Sequence, residues 1–434
     1  MQLLYNVAFI IFGIFYLPYL VVTRRYRYGM KDRLGILPEK IKSICSKNKI
    51  IWVHAVSVGE AKTAGILAPL LRKAYPGHKI LFSTVTHTGN KVAGTIAAGN
   101  EGVFYLPFDL SFIVGRVVKL IKPEIFISLE TELWPNLIHS VYKSGSRLIL
   151  ANGRISNRSY PRYKKSKCFI SGLLKKFSLI LMQSGLDAQR IIALGAPEEK
   201  VFVTGNLKFD IPLIDSGAKR IELRKKLNIS ENEVLIAAGS THRGEEEILA
   251  DCFSNLKKDY PGLRLLIAPR HIERVQEIEK ILTKNGFKSI KVSLLGLQPR
   301  AHAPYPNEVS GSGFSLQPIF ILDTMGELKS MYAASDIVFV GKSLVRKGGQ
   351  NPIEPASLGK PIIFGRHMFN FQDAAKILLE CKAAMEAEDS EGLYSAIRFL
   401  LDNPEERKKL GINAKETISK NSGSAQKTIN HILK

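Results

Sequence analysis

The sequence predicts two α/β domains in tandem, each built on a doubly wound parallel sheet, behind an apolar N-terminal segment. Its 434 residues are too many for one ordinary hydrophobic core, so two domains are expected. Short apolar, β-branched runs alternate with helical stretches along most of the chain, which is typical of a parallel sheet covered on both faces. The stretch 210–230 lacks strand signals and separates these runs into two series.

Half of the twelve predicted strands end in Gly, Ser or Asn, as strands do where a turn follows. The first series covers residues 49–56, 79–85, 102–107, 124–130, 147–153, 179–184 and 201–206. The second covers residues 233–240, 263–270, 319–323, 336–341 and 360–365. Residues 298–318, rich in Pro, Gly and Ser, are predicted to form a long surface loop.

The expected division of the chain follows from these two series. It comprises a membrane anchor at 1–23, an N-terminal domain at 24–212, a C-terminal domain at 213–400, and C-terminal helices at 401–434 that can pack back on the N-terminal domain. Ligands of doubly wound sheets bind at the carboxyl ends of the strands, and we expect two such edges to face each other across a cleft.

The N-terminal 23 residues contain no charged side chain, and the basic run RRYRYGMKDR follows at once. About 20 apolar residues are enough to cross a bilayer as a helix. Gly13 and Pro18 weaken that helix, which leaves insertion into one leaflet as the alternative. Because the cations follow the apolar stretch, the positive-inside rule places the rest of the protein in the cytoplasm. The same cations would bind anionic headgroups.

The composition is globular and strongly basic, with 62 Lys and Arg against 39 Asp and Glu and a net charge of +23. Such a charge favours a nucleic acid, an anionic membrane or a phosphorylated substrate as partner, or else reflects a generally basic proteome. The four cysteines are far apart and indicate reduced thiols in the cytosol. The nine histidines match no metal-ligand spacing, so no resident metal is expected.

The motif HAVSVGE, residues 54–60, places a carboxylate where a strand turns into a helix. With the strand ending near Val56, Glu60 falls in the first turn of the helix. The helix dipole alone would stabilise a carboxylate there by about 0.3–1 kcal/mol. The small neighbouring residues and the position at a strand end equally suit a general base. The pattern alone leaves both roles open.

The stretch ISLETELWPNL, residues 127–137, brings two acids to another strand end. While the strand persists, alternation would point Glu130 and Glu132 to the same face, where the two carboxylates would shift each other's pKa. The adjacent Trp134-Pro135 would supply a rigid apolar wall. Alternatively, one of the acids caps the next helix.

A lysine follows a later strand, in GNLKFD at 205–210. Lys208 could stabilise developing negative charge or pair with a glutamate, although the spacing fits a solvated surface lysine better.

Four turns of the second series suit an anion or a sugar. The turn in AAGSTHRGEEE offers backbone N–H groups and the Ser240 and Thr241 hydroxyls, and Arg270 of APRH lies at a strand end, as suits a phosphate. The other two turns are Met325-Gly326-Glu327 in DTMGEL and Asn351-Pro352-Ile353-Glu354 in GGQNPIE, where Glu354 could accept hydrogen bonds from a ribose diol. Together they indicate a nucleotide.

Other nucleotide motifs are missing from the sequence. It contains no GxxxxGK[ST], no GxGxxG and no D-x-D, which argues against a P-loop ATPase and against glycosyltransferases that grip a sugar diphosphate through a metal. A metal-free nucleotide-sugar transferase with two facing domains survives this elimination.

At these motifs the chain resembles the 3-deoxy-D-manno-octulosonic acid (Kdo) transferases of Gram-negative lipopolysaccharide synthesis. The resemblance runs from the N-terminus to about residue 375 and rests on HAVSVGE, ETELWPN, GNLKFD, GSTHRGEE, PRH, DTMGEL, GGQNPIE and FNF in this order. It implies a GT-B fold, in which two Rossmann-like domains face a central cleft, and a metal-independent inverting transfer of Kdo from CMP-Kdo to a lipid A precursor, lipid IVA. It also implies the inner membrane as location, with its anionic lipids as partners and no nucleic acid.

The resemblance further implies roles for individual residues. Glu60 would be the proton acceptor, and Glu130 and Lys208 would stabilise the transition state. The residues implied to hold CMP are Pro269, Arg270, Met325, Gly326, Glu327, Asn351, Pro352, Ile353 and Glu354, with Ser240 and Thr241 as secondary candidates.

The chain departs from the family pattern at a few positions. Lys342 stands where the family usually has the second Gly of Gly-Gly-Ser/Thr, and Gln350 stands where it has His. These changes bear on the geometry of the nucleotide site. Residues 151–156, ANGRIS, also replace a usual Asn-Ala-Arg.

A basic segment at 154–176 carries eight Arg and Lys interleaved with apolar and aromatic residues. It is expected to dock the acceptor or the membrane surface, or to be a solvated basic face.

Two other functions compete with Kdo transfer. One is a GT-B transferase that uses another nucleotide sugar, such as a UDP-sugar, and a membrane acceptor. The other is a membrane-tethered nucleic-acid-binding protein, which the charge suggests but which no RRM, KH or helix-turn-helix signature supports.

Overall fold

The computed structural model describes residues 5–11, 13–15, 28–99, 101–211, 217–296 and 317–434. The chain divides into two compact units: the first comprises Met1–Asp210 and Asn421–Lys434, and the second comprises Ile211–Lys420. Each unit is built on a seven-stranded parallel sheet. The prediction of two Rossmann-like α/β units is therefore confirmed.

The first sheet has the strand order β3-β2-β1-β4-β5-β6-β7. Its strands are β1 Lys49–His54, β2 His78–Thr84, β3 Gly102–Tyr105, β4 Ile125–Leu129, β5 Arg147–Gly153, β6 Leu179–Met182 and β7 Val201–Val203. The central strands β1 and β4 pair in parallel with Ile51 opposite Ile125. Every residue of β4 is buried, because helices cover both faces of the sheet and an apolar run is the sequence that tolerates this.

The first unit contains helices that connect these strands. They are α1 Met30–Arg33, α2 Glu39–Lys47, α3 Val58–Ala74, α4 His87–Ile96, α5 Ser111–Ile121, α6 Pro135–Lys143, α7 Tyr160–Lys165, α8 Lys167–Leu174 and α9 Gly185–Ala193. Two 3-10 helices, Glu198–Lys200 and Leu207–Phe209, flank β7.

The second sheet has the order β10-β11-β9-β8-β12-β13-β14. Its strands are β8 Val234–Thr241, β9 Leu263–Pro269, β10 Ser289–Lys291, β11 Ile319–Ile321, β12 Ile337–Val340, β13 Ile362–Gly365 and β14 Ala384–Ala387. The two edge strands, β10 and β14, are missing from the sequence prediction. Both are short and partly exposed, so neither has the continuous apolar run that marks a buried strand.

The helices of the second unit complete its layers. They are α10 Gly217–Lys226, α11 Glu245–Asp259, α12 Val275–Lys284, α13 Leu328–Ala334, α14 Ile353–Ser357, α15 Gln372–Glu380, α16 Ser390–Asp402 and α17 Pro404–Asn421, with 3-10 helices at Ile272–Arg274 and Val292–Gly296.

The last helix, α18 (Ser424–Leu433), belongs to the first unit. Ala425, Ile429 and Ile432 are buried in the same core as α3 residues such as Leu67. The carboxylate of Asp210 accepts hydrogen bonds from the backbone amides at the start of α18, including that of Gly423 at 2.6 Å. A carboxylate at a helix N-terminus satisfies amides that have no partner inside the helix.

Two predicted features fall largely on residues that the structure does not describe. Most of the predicted loop at 298–318 and much of the predicted anchor at 1–23 lie outside the described residues. Residues 5–11 and 13–15, here called the N-terminal segment, are helical. Among the described residues, none of the helices combines the length and the apolar character that a membrane crossing requires.

Candidate active site

The turn between β1 and α3 holds the carboxylate of Glu60 in a buried position, only 6% exposed. The α3 helix begins at Val58, so Glu60 lies in its first turn, as predicted. The backbone N–H of Val56 donates to Glu60 Oε2 at 2.7 Å, and the Ser57 hydroxyl donates to Glu60 Oε1 at 2.9 Å. Both bonds come from residues just before the helix and fix the carboxylate against the strand end.

Burial raises the pKa of Glu60 from 4.5 to about 7, and the charge of Glu130 adds to the effect. The hydrogen bonds from Val56 and Ser57 and the charge of Lys208 oppose it. A carboxyl group with a pKa near 7 is about half ionised at neutral pH. It is therefore available to accept a proton and is also basic enough to hold it, which makes it an efficient general base.

Glu130 and Lys208 form an ion pair at the end of β4. Lys208 Nζ lies 2.6 Å from Glu130 Oε1, and about a quarter of each side chain is exposed. The interpretation of Lys208 as a solvated surface lysine is therefore wrong, and its alternative, a pairing with a glutamate, is what the structure shows. Because the pair is partly screened from water, its cation acts on nearby carboxylates more strongly than a surface lysine would.

The third acid is Glu132, and its position is not set by alternation along a strand, although its spacing from Glu130 suggests that. The β4 strand ends at Leu129, and Glu130 has a left-handed backbone with φ of 54°. The strand therefore does not persist through Glu130 and Glu132, and strand alternation does not relate their side chains. Even so, Glu132 is affected as one half of that prediction expects: burial first, then the charges of Glu60 and Glu130, raise the pKa of Glu132 to about 7.

Glu60, Glu130, Glu132 and Lys208, here called the acid cluster, combine three carboxylates with one ammonium group. Two of these carboxyl groups, Glu60 and Glu132, have a pKa near 7, and the charge of Glu60 contributes to the raised pKa of Glu132. Among the described residues, no group of three or more His, Cys, Asp or Glu side chains is arranged to hold a metal ion.

Two asparagines hold Lys208 in position. The sequence analysis did not predict this role for either of them. Asn206 Oδ1 accepts a hydrogen bond from the backbone N–H of Lys208 at 3.0 Å, and Asn152 Oδ1 accepts one from that of Leu207 at 3.0 Å. Asn152 is fully buried and left-handed, with φ of 56°. Asn tolerates this conformation better than most residues. An Asn within the last residues of a strand, in ANG, was the available signal.

His54, the first residue of HAVSVGE, is fully buried behind the acid cluster's strand end. Its Nδ1 lies 2.9 Å from Ser83 Oγ, which also accepts a hydrogen bond from Trp52 Nε1 at 2.7 Å. Burial lowers the pKa of His54 to about 4. This histidine is therefore neutral at physiological pH and joins β1 to β2.

In the second unit, the predicted anion seat after β8 is occupied by the protein's own acids. The Thr241 hydroxyl donates to Glu246 Oε1 at 2.8 Å, and Thr241 is fully buried. Nearby backbone amides also bond to glutamates of α11, with His242 N donating to Glu245 Oε2 at 2.9 Å. The amides predicted to be free are thus engaged. Ser240, half-buried with φ of 57°, keeps the turn tight.

Arg270 emerges at the end of β9, where Pro269 is buried and Arg270 is exposed. Its backbone N–H donates to Thr241 O at 3.0 Å, which joins the ends of the neighbouring strands β8 and β9. Arg270 therefore lies at the carboxyl edge of the sheet, as predicted.

The DTMGEL turn presents an open surface before α13. Met325 is 69% exposed, and Gly326 has φ of 90°, a conformation that favours glycine. Glu327 is the N-cap residue just before the helix and accepts a hydrogen bond from the Thr324 hydroxyl. This turn leaves backbone accessible for a ligand.

The NPIE turn opens the five-residue helix α14. Asn351 Oδ1 accepts a hydrogen bond from the backbone N–H of Ile353 at 3.0 Å, and Asn351 Nδ2 lies 3.4 Å from Glu354 Oε1. The Ile353 side chain is fully buried, so any contact of Ile353 with a ligand would have to use its backbone. Asn351 and Glu354 remain partly exposed.

The two departures from the family pattern lie in one loop after β12. Lys342 has a left-handed backbone with φ of 64°, where glycine is the residue without strain. Its backbone N–H donates to Glu245 Oε2 at 2.7 Å, and Gln350 N donates to Gly341 O at 3.1 Å. Burial and the charges of Arg270 and Lys347 lower the pKa of Lys342. The loop thus gathers positive charge beside Arg270.

The fold places the chain in a broad class. A glycosyltransferase from Rickettsia africae ESF-5 superimposes with a TM-score of 0.55 at 15% identity, over 89% of this chain and 98% of that one. Two Rossmann-like units of parallel sheet, shared with this solved structure, define a GT-B-like protein.

Sequence relatives identify the family. The family model described as 3-deoxy-D-manno-octulosonic-acid transferase (kdotransferase) matches residues 28–211. The 3-deoxy-D-manno-octulosonic acid transferase of Haemophilus influenzae is 35% identical over 410 residues, which is 94% of this chain and 92% of the relative. The transferase of the same name from Chlamydophila psittaci is 31% identical over 392 residues, or 89% of this chain and 84% of the relative. The chain belongs to the Kdo transferase family of glycosyltransferases.

Proposed function

We propose that this protein transfers Kdo from CMP-Kdo to the lipid A precursor lipid IVA, without a metal and with inversion at the anomeric carbon. The observation that carries the proposal is Glu60, a buried carboxylate fixed by two hydrogen bonds, with a pKa of about 7 beside an ion pair. The names of the family and of its relatives supply the sugar and the reaction class.

In the proposed reaction, Glu60 is the base. An acceptor hydroxyl attacks the anomeric carbon of Kdo, its proton passes to Glu60, and the bond from that carbon to the phosphate oxygen of CMP breaks. The electron pair of that bond leaves with CMP. A base with a pKa near 7 accepts the proton as the nucleophile becomes acidic during bond formation.

The ion pair of Lys208 with Glu130 supports the transition state in this scheme. The proton acceptor must stay ionised although the charge of Glu130 raises its pKa, and the ammonium group of Lys208 opposes that effect. Glu130 holds that ammonium group in place at 2.6 Å. A preorganised charge of this kind lowers a barrier because it needs no reorganisation as charge moves.

The second unit is proposed to hold CMP. Arg270 at the end of β9 suits the phosphate, because a guanidinium group offers paired donors to phosphate oxygens. The exposed turn Met325–Glu327 and the partly exposed Asn351 and Glu354 offer backbone and polar groups to the nucleoside. Pro269 and the backbone of Pro352-Ile353 complete the proposed set.

The acceptor suits the charge of the chain. Lipid IVA is phosphorylated and acylated, and the basic segment 154–176 folds as α7 and α8 with an exposed polar side and with Ile170, Leu173 and Leu174 buried. We propose that this segment docks the acceptor at the cytoplasmic face of the inner membrane, where the apolar N-terminus attaches the protein.

The test is transfer of labelled Kdo, with CMP-Kdo generated in situ, to a tetra-acylated lipid A precursor. Wild type is compared with Glu60→Gln and Glu60→Ala, and mass spectrometry counts the added sugars. We expect transfer by wild type and its loss in both variants, with CMP binding retained. A wild type that is inactive with this pair but transfers from a UDP-sugar would contradict the proposed donor.

A further inference from the structure

The N-terminal segment is hydrogen-bonded to the body of the first unit through Asn6. Asn6 Nδ2 donates to Ser111 Oγ at 2.8 Å, while Asn6 Oδ1 accepts from Asn136 Nδ2 at 2.8 Å and from the backbone N–H of Ser111 at 3.3 Å. Ser111 is the first residue of α5. The amide of Asn6 therefore caps a helix that lies more than a hundred residues away in the sequence, at a point where a donor would otherwise lack a partner.

Tyr5 strengthens the same attachment. Its hydroxyl bonds to Asp109, a carboxylate that is 1% exposed and that accepts hydrogen bonds from the backbone amides of Asn136 and Leu137 at 3.1 and 2.8 Å. The Tyr5 ring also stacks on Phe169 of α8, with 6.5 Å between ring centroids. The start of the N-terminal segment is thus held by polar and aromatic contacts together.

These contacts are incompatible with a membrane crossing by residues 1–23. A helix rises about 1.5 Å per residue, so the stretch from Asn6 to the cations that follow residue 23 would be about 25 Å long, close to the thickness of the hydrocarbon layer. In a crossing, Asn6 would lie at the far face from the body of the protein. Asn6 cannot at the same time bond to Ser111 and Asn136 of that body.

The opposite side of the segment is an exposed aliphatic stripe. Val7, Ile10, Ile11 and Ile14 recur at the spacing of one helix face and are 47%, 47%, 50% and 65% exposed. The terminal Phe15 is 79% exposed. A contiguous apolar stripe of this kind on a protein surface marks a contact with a partner or a membrane.

We propose that the N-terminal segment docks on the first unit and lies in one membrane leaflet, with its aliphatic stripe toward the lipid chains and neither end across the bilayer. Charge complementarity favours a lipid leaflet as the occupant. The contact of Tyr5 with Phe169 places the segment beside the basic helices α7 and α8, where Lys164, Lys165 and Lys167 are exposed. Basic side chains beside an apolar helix face are typical of interfacial helices on anionic membranes.

The docking has a consequence for the site. Asn136, which bonds to Asn6, follows Trp134-Pro135 in the motif that carries Glu130 and Glu132. The leaflet surface is therefore placed next to the loop of the acid cluster. This inference rests on the proposed membrane location and explains how an acylated acceptor reaches Glu60 without leaving the leaflet.

The docking is tested by a disulfide cross-link that does not depend on sugar transfer. Asn6→Cys is combined with Ser111→Cys in a background with Cys168→Ser and Cys381→Ser, since both of those cysteines are exposed. A matched control pair replaces Asn90 and Thr84, whose amide and hydroxyl are 3.2 Å apart. In inner-membrane vesicles we expect both pairs to cross-link to a similar extent. Cross-linking of the control pair alone would overturn the proposal.

The lipid occupant is tested separately with vesicles of phosphatidylethanolamine and phosphatidylglycerol. A Phe15→Trp variant should be quenched more by a nitroxide near the headgroups than by one at the bilayer centre, and Ile10→Lys with Ile14→Lys should abolish vesicle binding. Ile412→Lys, at a residue that is 50% exposed in the second unit, is the control and should bind normally. Quenching mainly from the bilayer centre, or vesicle binding by the double variant, would overturn the proposal. An inactive enzyme that still cross-links would refute only the proposed reaction.

Discussion

Replacing Glu60 with Gln should make the protein more stable above neutral pH while abolishing its proposed activity. The folded protein raises the pKa of Glu60 from 4.5 to about 7. Since one pKa unit corresponds to about 1.4 kcal/mol, ionising this buried carboxyl costs the folded state about 3 kcal/mol at most. Gln keeps the shape and has an oxygen for Val56 N–H, but it never ionises.

The sign of the pH dependence follows from the direction of the shift. A carboxyl whose folded pKa is raised binds its proton more tightly in the folded state. The stability that this proton provides is fully present below the unfolded pKa of 4.5 and is lost as the pH rises toward the folded pKa of about 7. Wild type and Glu60→Gln should therefore have similar stability near about pH 4.5 and differ most above about pH 8.

Urea unfolding followed by tryptophan fluorescence is the assay. Both tryptophans of the chain, Trp52 and Trp134, lie in the first unit, so the signal reports the unit that holds Glu60. Glu124→Gln is a matched control: hydrogen bonding to His78 lowers the pKa of Glu124, so this variant should gain no stability at high pH. The reasoning is refuted if Glu60→Gln is no more stable than wild type at about pH 8, or if the difference does not change with pH.

Three further substitutions test the surroundings of the site. Lys208→Ala removes the charge that lowers the pKa of Glu60, so the rising limb of the pH–rate profile should move to higher pH and the rate should fall by about 100-fold, the scale on which electrostatic stabilisers act. Asn152→Ala forces alanine into a left-handed backbone and leaves the Leu207 N–H without its acceptor, so urea unfolding should show a loss of about 2 kcal/mol. Lys342→Gly relieves a left-handed lysine and should gain about 1 kcal/mol in calorimetry.

Each of these outcomes has its contradiction. If the rising limb of the pH–rate profile of Lys208→Ala lies at the same pH as that of wild type, Lys208 does not act on Glu60. An unchanged midpoint in Asn152→Ala would remove Asn152 from the positioning of Lys208. Lys122, at the end of α5, is also left-handed with φ of 46°. Lys122→Gly should therefore gain stability like Lys342→Gly, and a loss in both variants would refute the strain argument.

The sequence predicted the parts of the fold and the site that depend on local pattern. Apolar runs identified β1 and β4 as buried strands because both faces of the sheet are covered. The small-residue turn before Glu60 predicted that this carboxylate lies in the first turn of α3, and the structure confirms it. The edge strands β10 and β14 escaped because short, half-exposed strands lack such a run.

The rest depends on backbone dihedrals and on contacts between distant residues. The left-handed backbone of Glu130 interrupts the strand, so the alternation of side chains along a strand does not place Glu130 and Glu132 on one face. The Thr241 hydroxyl was predicted to be free for an anion, but it donates a hydrogen bond to Glu246, five residues later in the chain. The attachment of Asn6 to Asn136 joins residues 130 positions apart, and no periodicity in the sequence reports such a bond.

The measurement that tests the account most directly is the pH dependence of Kdo transfer from CMP-Kdo to lipid IVA by wild type and by Glu60→Gln. With Glu60 as the base, the wild-type rate should rise with pH through a limb near its pKa of about 7, and Glu60→Gln should bind CMP but transfer no Kdo at any pH. A Glu60→Gln variant that transfers Kdo at the wild-type rate and with the same limb would contradict the central claim.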